Sequence, residues 1–128
     1  MLLRHTIKPL LLKSDYYIAL NNRGTAKLNL NDYAAAIADF DAALKQKPNY
    51  TLAMNNMASA YIKKKDYKSA TEWANKAIQA DAKLAAAYVN RGIAKQMLKD
   101  EEGACADWKK AAEYGAAEGK RYTSGFCD

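Results

Sequence analysis

A period of 34 residues runs through this 128-residue chain and constrains its fold more than any single residue does. Asn22, Asn56 and Asn90 stand 34 apart, as do Ala26, Ala60 and Ala94, Asp32, Asp66 and Asp100, and Ala43, Ala77 and Ala111. The first and third units, 68 residues apart, match more closely still. Asn22-Arg23-Gly24 returns as Asn90-Arg91-Gly92, Ala26-Lys27 as Ala94-Lys95, and Ala38-Asp39 as Ala106-Asp107. A fixed period of this length marks a stacked architecture, because one unit cannot bury its apolar face alone and must lay it against its neighbours.

Each unit reads as two amphipathic helices. In the first unit, Ile18, Leu20, Gly24 and Leu28 lead to a turn at Asn29-Leu30-Asn31. Asp32 then suits a helix start, since its carboxylate accepts a hydrogen bond from an otherwise unpaired backbone N–H. Tyr33, Ala36, Ile37, Phe40, Ala43 and Leu44 follow at helical spacing. Pro48 closes the helix near Lys47, because proline disfavours helical geometry in the residue before it. The second unit repeats the plan, with a first helix from about Thr51 to Lys63 and Asp66 as cap; the third has Asp100 as cap. A seventh, shorter helix is expected from about Ala116 to Tyr122. The expected organisation is a lead-in at 1–14, units at 15–50, 51–84 and 85–118, and a cap and tail at 119–128.

Two registers carry physical content. Gly24, Ala58 and Gly92 sit mid-helix, where a glycine costs roughly 1 kcal/mol against alanine unless a close helix crossing requires it. The residues that cross them are Phe40, Ala74 and Trp108, so a large ring faces each glycine. In the same two outer units Arg23 accompanies Asp39 and Arg91 accompanies Asp107, while the middle unit has Met57 and Trp73. The expectation is an ion pair bridging the helices of units one and three, replaced by an apolar contact in unit two. The other reading has these arginines meeting an acidic ligand.

With the small residue, alanine, aromatic, alanine and proline falling on Gly24, Ala36, Phe40, Ala43 and Pro48, and again (without the proline) on Gly92, Ala104, Trp108 and Ala111, the pattern resembles the tetratricopeptide repeat over residues 17 to 118. Unit two departs from it: Ala58 replaces the glycine, Ala74 the aromatic and Ala82 the proline. The resemblance implies an all-α fold, a right-handed superhelical array of antiparallel helix pairs with a C-terminal capping helix. It implies a non-enzymatic protein-interaction module that binds a peptide or partner segment in a concave groove lined by the first helix of each unit. Carried over by position, that groove holds Asn21, Asn22, Thr25 and Leu28, then Asn55, Asn56, Ser59 and Ile62, then Val89, Asn90, Ile93, Gln96 and Met97. Two readings of the asparagine ladder stay open: it grips the backbone of an extended peptide, or it hydrogen-bonds within the array. Some members bind a C-terminal carboxylate through lysines, asparagines and an arginine in the groove. Only Asn56 matches that set here; Asn21, Thr25, Ala86 and Asn90 occupy the remaining positions, which argues against that activity.

Catalytic chemistry finds little footing. The one histidine, His5, lies in the lead-in, and no histidine–cysteine spacing suits a metal. Gly115 to Lys120 is one residue short of a phosphate-binding loop and no strand precedes it. No cofactor is expected. The formal charge of +6 is dispersed, its one dense cluster being Lys63-Lys64-Lys65 with Lys68 at a turn, which argues against a dedicated nucleic-acid surface. No apolar run approaches the roughly 20 residues of a membrane span. The lead-in lacks the unbroken apolar stretch and cleavage site of a secretory signal.

Cys105 and Cys127 are either a disulfide that staples the cap to the array or a buried and a terminal thiol, and the disulfide is favoured. A bond would fit an oxidising compartment such as the bacterial periplasm; free thiols would fit the cytoplasm. The alternatives to peptide binding are a structural spacer within a larger assembly and a binder of nucleic acid or anionic surfaces. Self-association through the groove or the N-terminal leucines is a further possibility that the sequence leaves open.

Overall fold

The computed structural model describes residues 16–127, and the structural statements below concern those residues. The lead-in at 1–14, with His5, lies outside them. Seven helices follow in chain order: α1 (Tyr16–Asn29), α2 (Tyr33–Gln46), α3 (Thr51–Lys63), α4 (Tyr67–Ala80), α5 (Ala85–Met97), α6 (Glu101–Glu113) and α7 (Ala117–Phe126). They pair as α1 with α2, α3 with α4 and α5 with α6; each pair packs on the next, and α7 closes the array against α6. Among the described residues there is no strand.

The three turns inside the units are built alike. Asn31, Lys65 and Lys99 adopt the left-handed conformation, at φ 65°, 67° and 73°. This lets the N–H of Asp32, Asp66 and Asp100 reach back to the carbonyls of Lys27, Tyr61 and Lys95. The last carbonyls of each first helix are thereby satisfied. The same three aspartates then start the second helices, accepting from the N–H of Ala35, Ser69 and Gly103 at 3.4, 3.2 and 2.9 Å. One such residue therefore ends one helix and begins the next, each cap contributing on the order of 1 kcal/mol.

The core follows the small-to-large register. Phe40 and Trp108 are the largest fully buried side chains. A Cβ added at Gly24 would run into the Phe40 ring, and one at Gly92 into the Trp108 indole. In the middle unit Ala58 and Ala74 are both fully buried, and Met57 is buried in the core against which Trp73 packs. Ala36, Ala43, Ala53, Ala60, Ala70 and Ala77 are likewise closed off completely, so backbones approach closely along the whole stack.

The last helix runs past the expected end at Tyr122 to Phe126. The reason is aromatic packing: Tyr122 and Phe126 both lie against Trp108, with ring centroids 5.2 and 5.9 Å away. Gly115 takes φ +100° at the α6 end, and a Cβ at Gly119 would meet the backbone of Trp108 and Ala112. Both glycines of the Gly115–Lys120 stretch are thus explained by the seating of α7. Cys105 on α6 and Cys127 after α7 are joined by a disulfide.

Candidate functional site

The first helices of the units, α1, α3 and α5, are tied side by side by side-chain amides. Asn56 on α3 donates from Nδ2 to Oδ1 of Asn21 at 2.9 Å and to the hydroxyl of Thr25 at 3.4 Å. Asn90 on α5 repeats the arrangement one unit on, donating to Oδ1 of Asn55 at 2.8 Å and to the hydroxyl of Ser59 at 3.0 Å. The Thr25 hydroxyl gives its own hydrogen to the Asn21 carbonyl at 3.0 Å, so it can only accept from Asn56. That fixes which end of the Asn56 amide faces it. Asn21 is buried, and the other members of the two bridges are half-buried.

The groove residues carried over by position fall in different surroundings. Asn21, Thr25, Asn55, Asn56, Ser59 and Asn90 form the bridges. Leu28 and Val89 are buried in the apolar core. Asn22 is exposed and makes no side-chain hydrogen bond among the described residues, although the period equates it with Asn56 and Asn90. Ile62 and Ile93 are half-buried and Met97 exposed. Gln96 turns toward the cap, beside Cys105, Trp108 and Phe126.

An open crevice of about 210 Å³ runs between these helices at the C-terminal end of the stack. It is lined by Asn55 and Ser59 of α3, Ala86, Val89 and Asn90 of α5, and Ala116 and Glu118 at the start of the cap. Its floor is amide, hydroxyl and aliphatic. Its one charged lining residue is Glu118, an exposed carboxylate with no ion-pair partner among the described residues.

The arginine–aspartate pairs lie within the units. Arg23 grips Asp39 through two bonds of 2.8 Å, and Arg91 grips Asp107 through bonds of 2.8 and 2.7 Å. Both arginines are thereby bonded across the helices of their own unit, Arg23 at the surface and Arg91 half-buried. Lys27 and Lys95 join them at 3.2 Å, an addition not drawn from the sequence although Ala26-Lys27 and Ala94-Lys95 recur there. Unit two replaces all three members, with Met57, Tyr61 and Trp73 at the equivalent positions. The hydrogen bond from Arg23, helped by Lys27, holds the Asp39 carboxyl below the usual range against the opposing effect of burial. Bonding to Asp107 raises the Arg91 guanidinium. Lys63, Lys64, Lys65 and Lys68 are all exposed around the α3–α4 turn. No group of three His, Cys, Asp or Glu side chains among the described residues is placed to hold a metal ion. No described helix is long and apolar enough to cross a membrane.

Helix pairs stacked in register define a helical-repeat solenoid. A family model described as tetratricopeptide repeat matches residues 21–85, and the chain belongs to that family. Among solved structures, the tetratricopeptide domain of Sgt2 from Aspergillus fumigatus is 26% identical, with 87% of this chain and 76% of that one covered at a TM-score of 0.83. The corresponding domain of OM64 from Arabidopsis is 20% identical, covering 90% and 97% at a TM-score of 0.85. The second such domain of human RPAP3, solved in complex with the HSP70 peptide SGPTIEEVD, is 23% identical, covering 87% and 94% at a TM-score of 0.79. A search of the curated proteins returns no significant match.

Proposed function

We propose that this chain is a protein-interaction module that takes an extended peptide segment in the crevice along α3, α5 and the start of α7. The observation that carries the reading is the composition of that crevice: open, mostly apolar with a polar share, and built on helices that the amide bridges hold in fixed register. A peptide needs backbone partners along its length and apolar contact between them. Asn55, Ser59 and Asn90 offer the first, Ala86 and Val89 the second. The fold is the one in which the human RPAP3 domain holds its HSP70 peptide. We read the function as binding, which the amides, hydroxyl and aliphatic groups of the crevice lining support. We also propose an oxidising compartment for the chain, a reading that the Cys105–Cys127 bond supports.

Asn56 and Asn90 are poor test positions, because each also fastens one helix to the next. Ala86 is better: it is exposed, lines the crevice and takes part in no bridge. Short peptides selected from a displayed library against the intact chain should lose roughly tenfold or more in affinity on Ala86→Trp. Unfolding stability should stay within about 0.5 kcal/mol. Selected peptides that bind the Ala86→Trp chain unchanged would place the interaction elsewhere.

A further inference from the structure

We infer that the crevice selects peptides carrying a lysine or arginine side chain, with Glu118 as the residue that sets this preference. The inference rests on the peptide-binding reading and deepens it.

The first ground is hydrogen-bond accounting. The Asn90 amide has spent both of its Nδ2 hydrogens, one on Asn55 and one on Ser59. Its Oδ1 is left as an acceptor that no described donor reaches. Asn56, one unit back, is spent in the same way on Asn21 and Thr25. Asn55 Nδ2 and the Ser59 hydroxyl remain as neutral donors, suited to the carbonyls of a peptide backbone. A ligand must therefore bring donors of its own to the Asn90 end.

The second ground is charge. Glu118 enters the crevice from the first turn of α7, beside Asn90 and Ala86 in the lining, and no lysine or arginine lines the same space. Arg23 and Lys27 are held on Asp39, and Arg91 and Lys95 on Asp107. Asn21, Thr25, Ala86 and Asn90 on the same helices are all neutral. An acidic peptide would meet a like charge and no counter-charge. A lysine or arginine would meet a free carboxylate flanked by an amide oxygen. The formal charge of +6 on the whole chain opposes a basic ligand at long range. At physiological salt that field is screened beyond about 8 Å, so the carboxylate in the crevice decides the local preference.

The experiment uses the intact chain and one library-selected peptide made in three forms, identical and blocked at both ends except for Lys, Ser or Glu at a scanned position. Fluorescence anisotropy should rank them Lys, then Ser, then Glu at the position over Glu118, with steps of about two- to five-fold. Glu118→Gln should merge the Lys and Ser forms, and Glu118→Lys should reverse the order. A Glu form that binds the wild-type chain as tightly as the Lys form at every position overturns the inference, as does a ranking that Glu118→Lys leaves intact. If the peptide binds but is indifferent to Ala86→Trp, the crevice reading itself fails and the charge preference falls with it.

Discussion

The first and third units share their glycine, aromatic ring, arginine, lysine and aspartate, yet the structure uses the shared set differently at the two ends. Arg23 is 56% exposed and bonds within its own unit, whereas Arg91 is 21% exposed and reaches a third helix through Asn75 on α4 at 2.9 Å. Phe40 is enclosed by the first two units, while Trp108 is enclosed by its own unit and by the cap. Identical residues thus carry different energetic weight according to what is stacked on them, as expected where stability is a sum of unit and interface terms. The middle unit teaches the converse. With Met57, Tyr61 and Trp73 in place of arginine, lysine and aspartate, it keeps the same helix geometry by apolar contact alone.

The sharpest way to break the comparison is to remove the two rings. Phe40→Ala and Trp108→Ala each empty a fully buried site, where such truncations cost about 3–5 kcal/mol. Trp108→Ala should stand at the upper end, because the ring also seats Tyr122 and Phe126. Urea unfolding followed by circular dichroism reads both. Equal losses would mean that the cap gains nothing from the indole.

Next in size is the staple. The Cys105–Cys127 disulfide closes a separation of 22 residues, and loop entropy gives it about 3 kcal/mol. The double substitution Cys105→Ser, Cys127→Ser should lower stability by that order and make it insensitive to dithiothreitol. Amide exchange should rise in α7 and α6 and stay unchanged in α1 and α2. A uniform rise would show the array unfolding as one unit and erase the distinction between its ends. A free-thiol count on the denatured, unreduced wild-type chain checks the bond directly: two reactive thiols would refute it.

The sequence disclosed the contacts that repeat within a unit. Asp32, Asp66 and Asp100 cap where their spacing puts them, and Gly24 and Gly92 lie under the rings the register assigns. The arginine–aspartate bridges are also local, sixteen residues apart in both outer units. Contacts between units were harder to read. A period of 34 aligns Asn22, Asn56 and Asn90 as equals, but the bridges run to residues 35 and 31 earlier, so Asn21 and Asn55 are the true partners. Asn22 has no described repeat helix before it to receive its amide. Glu118 carries no repeat signature, since the period aligns it with the uncharged Tyr50 and Leu84, and it is the seating of the cap that brings it into the crevice lining.

The smallest expected effect concerns the acid side of the first unit. Asp39 has its carboxyl depressed by Arg23, with Lys27 in support, so the folded state holds its proton less tightly than the unfolded chain does. A depressed carboxylate contributes stability that is present in full above the unfolded value, near pH 4, and is lost as pH falls through the folded value. Asp39→Asn should therefore lower the melting temperature at neutral pH and converge on the wild type as the solution is acidified below that range. Because Arg23 is more than half exposed and screened by solvent, the neutral-pH loss should be the least of those described here. Melting curves at a series of pH values, in low salt and in high salt, give the test. A gap between variant and wild type that stays constant into strong acid would assign the loss at Asp39 to packing, and the first unit would then resemble the middle one more than the third.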